Sequence, residues 1–132
     1  MLKKTITYTD YDGKERTEDF YFNLTEAELT EMQLSAEGGL DVVMKRLIQE
    51  QNSSEMIRIF KDIIRKAYGE KSDDGKYFRK SKEISDLFEC TEAYNDLFMD
   101  IVSSPDSAME FVQGILPAKI REQIAKEQSA QN

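Results

Sequence analysis

The segment Glu70-Lys71-Ser72-Asp73-Asp74-Gly75 comes nearest to a metal site in residue type and spacing. A calcium loop needs side-chain oxygens at its first, third and fifth positions and a glycine at its sixth, for the sharp turn. With Gly75 in the sixth place, Glu70, Ser72 and Asp74 fall on the three ligand positions. The twelfth position is then Ser81, where the geometry requires a bidentate glutamate. The oxygen count falls short, so no calcium site is expected. Asp10-Tyr11-Asp12-Gly13 starts in a similar way but sits in a hairpin pattern with no helix before it.

Other chemistries fail for lack of partners. The chain has no histidine, and Cys90 is its single cysteine. A zinc site needs Cys or His ligands in number. Cys90 has no histidine to activate it as a nucleophile and no second cysteine to pair with, so it reads as a small buried spacer. Carboxylates abound at Glu18-Asp19, Glu26, Glu28, Glu31 and Asp73-Asp74. Acid–base catalysis needs two carboxyls held across a cleft with separated pKa values. These acids fall instead in turns, on strand faces and in first helical turns, where they cap and complement helix dipoles. Gly38-Gly39 lacks the Lys-Ser/Thr that completes a phosphate loop. No catalytic residue, metal or cofactor is expected.

Composition narrows the class further. The 132 residues suit one domain, expected over 1–117, with 118–132 as a frayed helix or flexible tail. Net charge is −8 and the pI is about 4.7. A duplex nucleic-acid binder normally carries a basic face. The basic clusters here, Lys61-Arg65-Lys66 and Lys76-Arg79-Lys80-Lys82, read as solvated helix and loop charge. No nucleic-acid partner is expected. Apolar runs fall far short of the roughly 20 residues of a membrane span. The opening MLKKTITYT has two lysines and no apolar core, so a secretory signal is not expected either. The remaining class is a cytosolic, non-enzymatic binding protein.

The elements predicted from pattern are a hairpin followed by helices. Leu2–Thr9 and Arg16–Phe22 flank Asp12-Gly13, whose dipeptide favours a two-residue turn with positive φ. Phe20 and Phe22 share one face and Tyr21 takes the other. A lone hairpin is marginal in water, so its aromatics must pack on helices, join a further strand or meet a partner. Thr25 and Glu28 have capping-box spacing, and Leu24 and Leu29 staple spacing, so a helix enters near Glu26 and runs to about Ala36.

A second helix is predicted over Leu40 to about Gln51, with Leu40, Val43, Met44, Leu47 and Ile48 on one stripe. The third, Glu55 to Tyr68, is the most periodic, through Met56, Ile57, Phe60, Ile63, Ile64, Ala67 and Tyr68. Gly69 then suits its C′ position. A polar connection from Glu70 to Lys80 has room for a short hairpin around Lys76 to Arg79. Ser81, Thr91 and Ser104-Pro105 each start a further helix. The fold class is therefore α+β, with about six short helices. Phe60, Ile63, Ile64, Leu47, Leu97, Phe98 and Ile101 are its expected core.

The stretches TYTDYDGKERTEDFYFNLT, Thr7 to Thr25, and IFKDIIRKAYGEKSDDGKYF, Ile59 to Phe78, resemble a group of small acidic phage proteins. These are the tail assembly chaperones of long-tailed phages infecting Gram-positive bacteria. The likeness covers most of the chain and thins after about Leu116. It implies a non-enzymatic factor of the host cytoplasm. Such a factor binds the tape measure protein, and with it the tail tube protein, promotes tube assembly and is absent from the finished virion. Self-association is compatible with it. A structural connector of the virion, or a small phage regulator that binds a host protein, are the alternatives. Six methionines fit an adaptable apolar surface as well as a soft core. The apolar residues expected to be least covered within the domain, and so to face a partner, are Phe111, Ile115, Leu116, Ile120 and Ile124. The hairpin face of Tyr8, Phe20 and Phe22 is the next candidate.

Overall fold

The computed structural model describes residues 1–31, 54–118 and 121–122. Its elements are β1 (Leu2–Thr9), β2 (Glu15–Phe22), α1 (Glu26–Glu31), α2 (Ser54–Ala67), β3 (Tyr68–Lys71), β4 (Phe78–Arg79), α3 (Lys82–Glu89), α4 (Glu92–Ser103) and α5 (Pro105–Ile115). The class is α+β, with five helices among the described residues rather than about six. The helix predicted over Leu40 to about Gln51, and the stretch of the first helix beyond Glu31, lie outside them.

The strands form one antiparallel sheet in the order β1-β2-β3-β4. β1 and β2 pair without interruption from Leu2↔Phe22 to Thr9↔Glu15. Their connection is longer than the two-residue turn expected at Asp12-Gly13. The Asp10 carboxylate accepts hydrogen bonds from the Asp12 and Lys14 N–H groups, both at 2.9 Å, and so organises the whole of Asp10–Lys14. The Gly13 N–H closes a turn on the Asp10 carbonyl at 3.0 Å, and Gly13 takes a φ of +82°. A turn closed by a left-handed glycine is a common wider alternative to a two-residue hairpin.

The hairpin's aromatic face is satisfied within the fold. β3 adds to β2 through Tyr21↔Gly69 and Phe22↔Tyr68. Tyr68 stacks on Phe88 of α3 with centroids 4.0 Å apart and an interplanar angle of 13°. That pairing explains why Tyr68 leaves the helix on whose stripe it was predicted to lie. Gly69 is accordingly a strand residue, not a helix cap. A Cβ there would sit 2.7 Å from the Arg79 carbonyl oxygen and 2.7 Å from the Phe78 ring. The predicted second hairpin forms between β3 and β4 through Glu70↔Arg79 and Lys71↔Phe78. Its turn takes in Ser72–Gly75 of the acidic segment, whose Glu70 and Lys71 belong to β3. Ser72 and Asp74 hydrogen-bond each other and the loop backbone, and Gly75 takes a φ of +76°.

The helix starts follow their sequence signals. Thr25 and Glu28 exchange both capping-box bonds, at 2.9 and 3.1 Å, and Leu24 and Leu29 are buried. Ser81, Thr91 and Ser104 accept from the N–H groups of Ile84, Tyr94 and Ser107. Phe60, Ile63, Ile64, Leu97 and Ile101 are buried as expected, joined by Phe22, Phe88 and Phe111. Phe98 packs only partly against this core. Leu47 lies outside the described residues, as does the Met56 side chain. Ile57 turns to solvent and Ile59, off the predicted stripe, is partly buried instead.

Candidate interaction surfaces

The fold determines which apolar and charged groups are left at the surface for a partner. The C-terminal candidates are mostly not among them. Phe111, Ile115 and Leu116 are each 1% exposed. Ser104 and Pro105 start α5 so that Ala108, Phe111, Val112 and Ile115 all turn inward. The Phe111 ring meets Phe22 edge-on at 5.4 Å, and the Ile115 carbonyl accepts the Leu24 N–H at 2.9 Å. Gly114 lies against Leu2, where a Cβ would come to 3.0 and 3.2 Å from the two leucine methyls. The expectation that these residues lie uncovered is therefore corrected: Pro117 interrupts the helix only after it has docked on the hairpin. Ile120 and Ile124 lie outside the described residues. The alternative face of Tyr8, Phe20 and Phe22 is also buried, beneath α3, α4 and α5.

Other apolar side chains reach solvent. Tyr11 is 75% exposed, Leu87 63% and Met99 56%, with Tyr77 and Ile57 also in this group. Leu87 and Met99 stand on the outward sides of α3 and α4, one turn or less from acids such as Glu83, Asp96 and Asp100. Tyr11 crosses from the β1–β2 loop to donate its hydroxyl to the Cys90 carbonyl at 3.1 Å. Cys90 itself is exposed, not the buried spacer that its sequence setting suggests. It caps α3 through its backbone, its N–H bonding the Asp86 and Leu87 carbonyls, so the side chain is left outside.

Charge is organised around the helices. Arg65 of α2 bridges Asp86 and Glu89 of α3, and Lys61 holds Glu89 at 2.9 Å. The hydrogen bond from Arg65 draws the Asp86 carboxyl below its ordinary pKa, with help from Lys82. Lys61, and then Arg65, do the same for Glu89 against the opposing effect of burial. Lys80 ties the end of β2 to α1, donating to the Asn23 carbonyl at 2.5 Å and to Glu28 at 2.6 Å. Burial pushes the Glu28 carboxyl up, but the Lys80 and Thr25 hydrogen bonds together bring it below its ordinary value.

A cleft of about 480 Å³ opens between α1, α2 and the start of α3, lined by Glu28, Glu31, Arg65, Lys66, Lys80 and Lys82 among others. Its cations are already held: Lys80 by Glu28, Arg65 by Asp86 and Glu89, Lys66 by Asp62, and Lys82 by Asp86. It offers polar contacts, not a preformed receptor for a free anion. Among the described residues, no group of His, Cys, Asp and Glu is arranged to hold a metal ion. No described helix is long and apolar enough to cross a membrane.

No curated protein and no solved structure matches the chain. One family model does, described as phage tail assembly chaperone, and it covers residues 1–132. That span takes in the hairpin, the sheet and the whole helical part, so both segments that carried the sequence likeness lie within it. A match of that extent is shared ancestry over the chain as a whole, and the chain belongs to the phage tail assembly chaperone family.

Proposed function

We propose that this protein binds the tape measure protein of its phage and covers that protein's apolar helical stripes until tail tube subunits polymerise around it. The observation that carries this reading is the family match over residues 1–132. The geometry supports it in kind. Ile57, Leu87 and Met99 offer separate apolar contacts on α2, α3 and α4, each set among charged residues. Scattered apolar contacts of this sort favour reversible binding over an obligate interface, which is larger and more continuous. Flexible methionine suits a surface that must accept successive helical segments.

On this reading the protein is non-enzymatic, acts in the host cytoplasm, meets tail tube protein during assembly and is left out of the mature virion. The wording of Thr7–Thr25 and Ile59–Phe78 favours a long-tailed phage of a Gram-positive host. Ile120 and Ile124 extend the candidate contacts beyond α5, and truncation before Ala118 tests their part. Co-expression with the tape measure protein, followed by pull-down on this chain, tests the reading itself. Mass spectrometry of purified particles separates a chaperone, which is missing from them, from a structural connector, which is present.

A further inference from the structure

The sheet has two outer strands, and among the described residues only one of them is protected. β4 is two residues long, a length that gives an incoming strand little to pair with. β1 is eight residues long and pairs with β2 along its whole length without a bulge, and it contains no proline. Among the described residues no strand pairs its other edge.

Which backbone groups face that edge follows from the hairpin. The Asp10 N–H donates to the Lys14 carbonyl, so Asp10 and Lys14 form a hydrogen-bonded pair of the ladder. Such pairs alternate along an antiparallel ladder, so Tyr8, Ile6, Lys4 and Leu2 also turn their backbone groups to β2. The pairs between them bring side chains closer. Thr7 and Thr17 hydroxyls meet at 2.9 Å, and Thr5 donates to Asp19 at 2.6 Å, as that alternation requires. The N–H and C=O groups of Lys3, Thr5, Thr7 and Thr9 therefore point outward.

We propose that the free edge of β1 pairs antiparallel with β1 of a second copy of this chain, about a two-fold axis at Ile6. This register pairs every outward backbone group: Lys3 with the copy's Thr9, and Thr5 with the copy's Thr7. Ile6 then faces its own counterpart, covering a side chain that is only partly buried in the single chain. The charges agree. The only charged residues on β1 are Lys3 and Lys4. In this register Lys4 lies opposite the copy's Tyr8 and diagonal to its Asp10, and no like charges meet. A C2 interface needs this kind of self-complementarity. The result is a continuous eight-stranded sheet across two copies, four strands from each.

The test combines solution mass with a cross-link. Light scattering on the full chain is expected to give twice the 15.3 kDa chain mass at high concentration. Thr7→Pro removes an outward N–H at a position where an edge strand tolerates proline. It is expected to return the single-chain mass with an unchanged circular dichroism spectrum. Ile6→Cys in a Cys90→Ser background is expected to form an intermolecular disulfide. Opposed residues of such a non-hydrogen-bonded pair have Cα atoms about 4.5 Å apart, within disulfide range. Leu2→Cys in the same background is the control and is expected to stay unlinked. A single-chain mass at all concentrations overturns the proposal. So does a dimer that survives Thr7→Pro, or one in which Ile6→Cys cross-links no better than Leu2→Cys. If Thr7→Pro fails to fold, the cross-linking pair decides alone.

Discussion

Phe22→Ala measures how firmly the hairpin and the helical part are joined. Phe22 is 0% exposed, and its ring lies 5.4 Å from Phe111, 5.5 Å from Tyr68 and 5.8 Å from Phe88. It is the one side chain of β2 that touches rings from β3, α3 and α5 together. A buried phenylalanine hides roughly 150–250 Å². Truncation to alanine forfeits most of that area, worth about 3 kcal/mol at ~25 cal/mol per Å². The cavity left behind brings the expected loss to about 4 kcal/mol, within the range for Phe→Ala in cores. Small domains have roughly 5–15 kcal/mol to lose, so the variant should remain folded but marginal. In urea, with a slope of roughly 2 kcal/mol per molar, the midpoint should fall by about 2 M. Tyr21→Ala, on the opposite face of the same strand, should cost less than about 1 kcal/mol. A Phe22→Ala loss no larger than that of Tyr21→Ala would refute the joint described here.

The other predictions concern packing, charge and surface. Gly69→Ala places a methyl against a backbone carbonyl that cannot give way, and should destabilise by about 1–3 kcal/mol in the same urea assay. Glu28 has its carboxyl held below the ordinary value in the folded chain, so its contribution is complete above the unfolded pKa and is lost as pH falls through the folded one. An acid titration of stability should therefore fall less steeply below about pH 4.5 in Glu28→Gln than in the parent. Ile115→Asp should abolish the native circular dichroism signal, because it buries a carboxylate where the side chain is 1% exposed. Leu87→Asp and Met99→Asp should leave stability within about 0.5 kcal/mol of the parent and weaken capture of the tape measure protein.

Local signals were legible in the sequence where the chemistry is local. The capping box at Thr25 and Glu28, the caps at Ser81, Thr91 and Ser104, and the inward stripe through Phe60, Ile63 and Ile64 all depend on residues within a few positions of one another. The errors arise from contacts distant in sequence. Tyr68 fits the periodicity of α2, but pairing with Phe22 and stacking on Phe88 draw it into a strand. Gly69 suits a helix end as well as a strand. Only the approach of Phe78 and Arg79 shows why a side chain is excluded there.

The expectation that Phe111, Ile115 and Leu116 lie uncovered failed for the same reason. Phe111, Ile115 and Leu116 looked surplus because the apolar helices were counted without the hairpin face that they cover. Asp12-Gly13 signalled a turn, but its length was set by the Asp10 side chain, a preference that the dipeptide does not carry. Exposure of Leu87 and Met99 follows from how α3 and α4 are rotated on the sheet, which no single stripe reveals.

The central claim, that this chain is a chaperone for the tape measure protein, is tested most directly by co-expressing the two and isolating the chain by affinity. The account predicts that tape measure protein co-purifies in soluble form with the parent and is recovered in smaller amount with Leu87→Asp/Met99→Asp, while both chains stay folded. Tape measure protein that is equally soluble without this chain, and absent from its eluate, would contradict it.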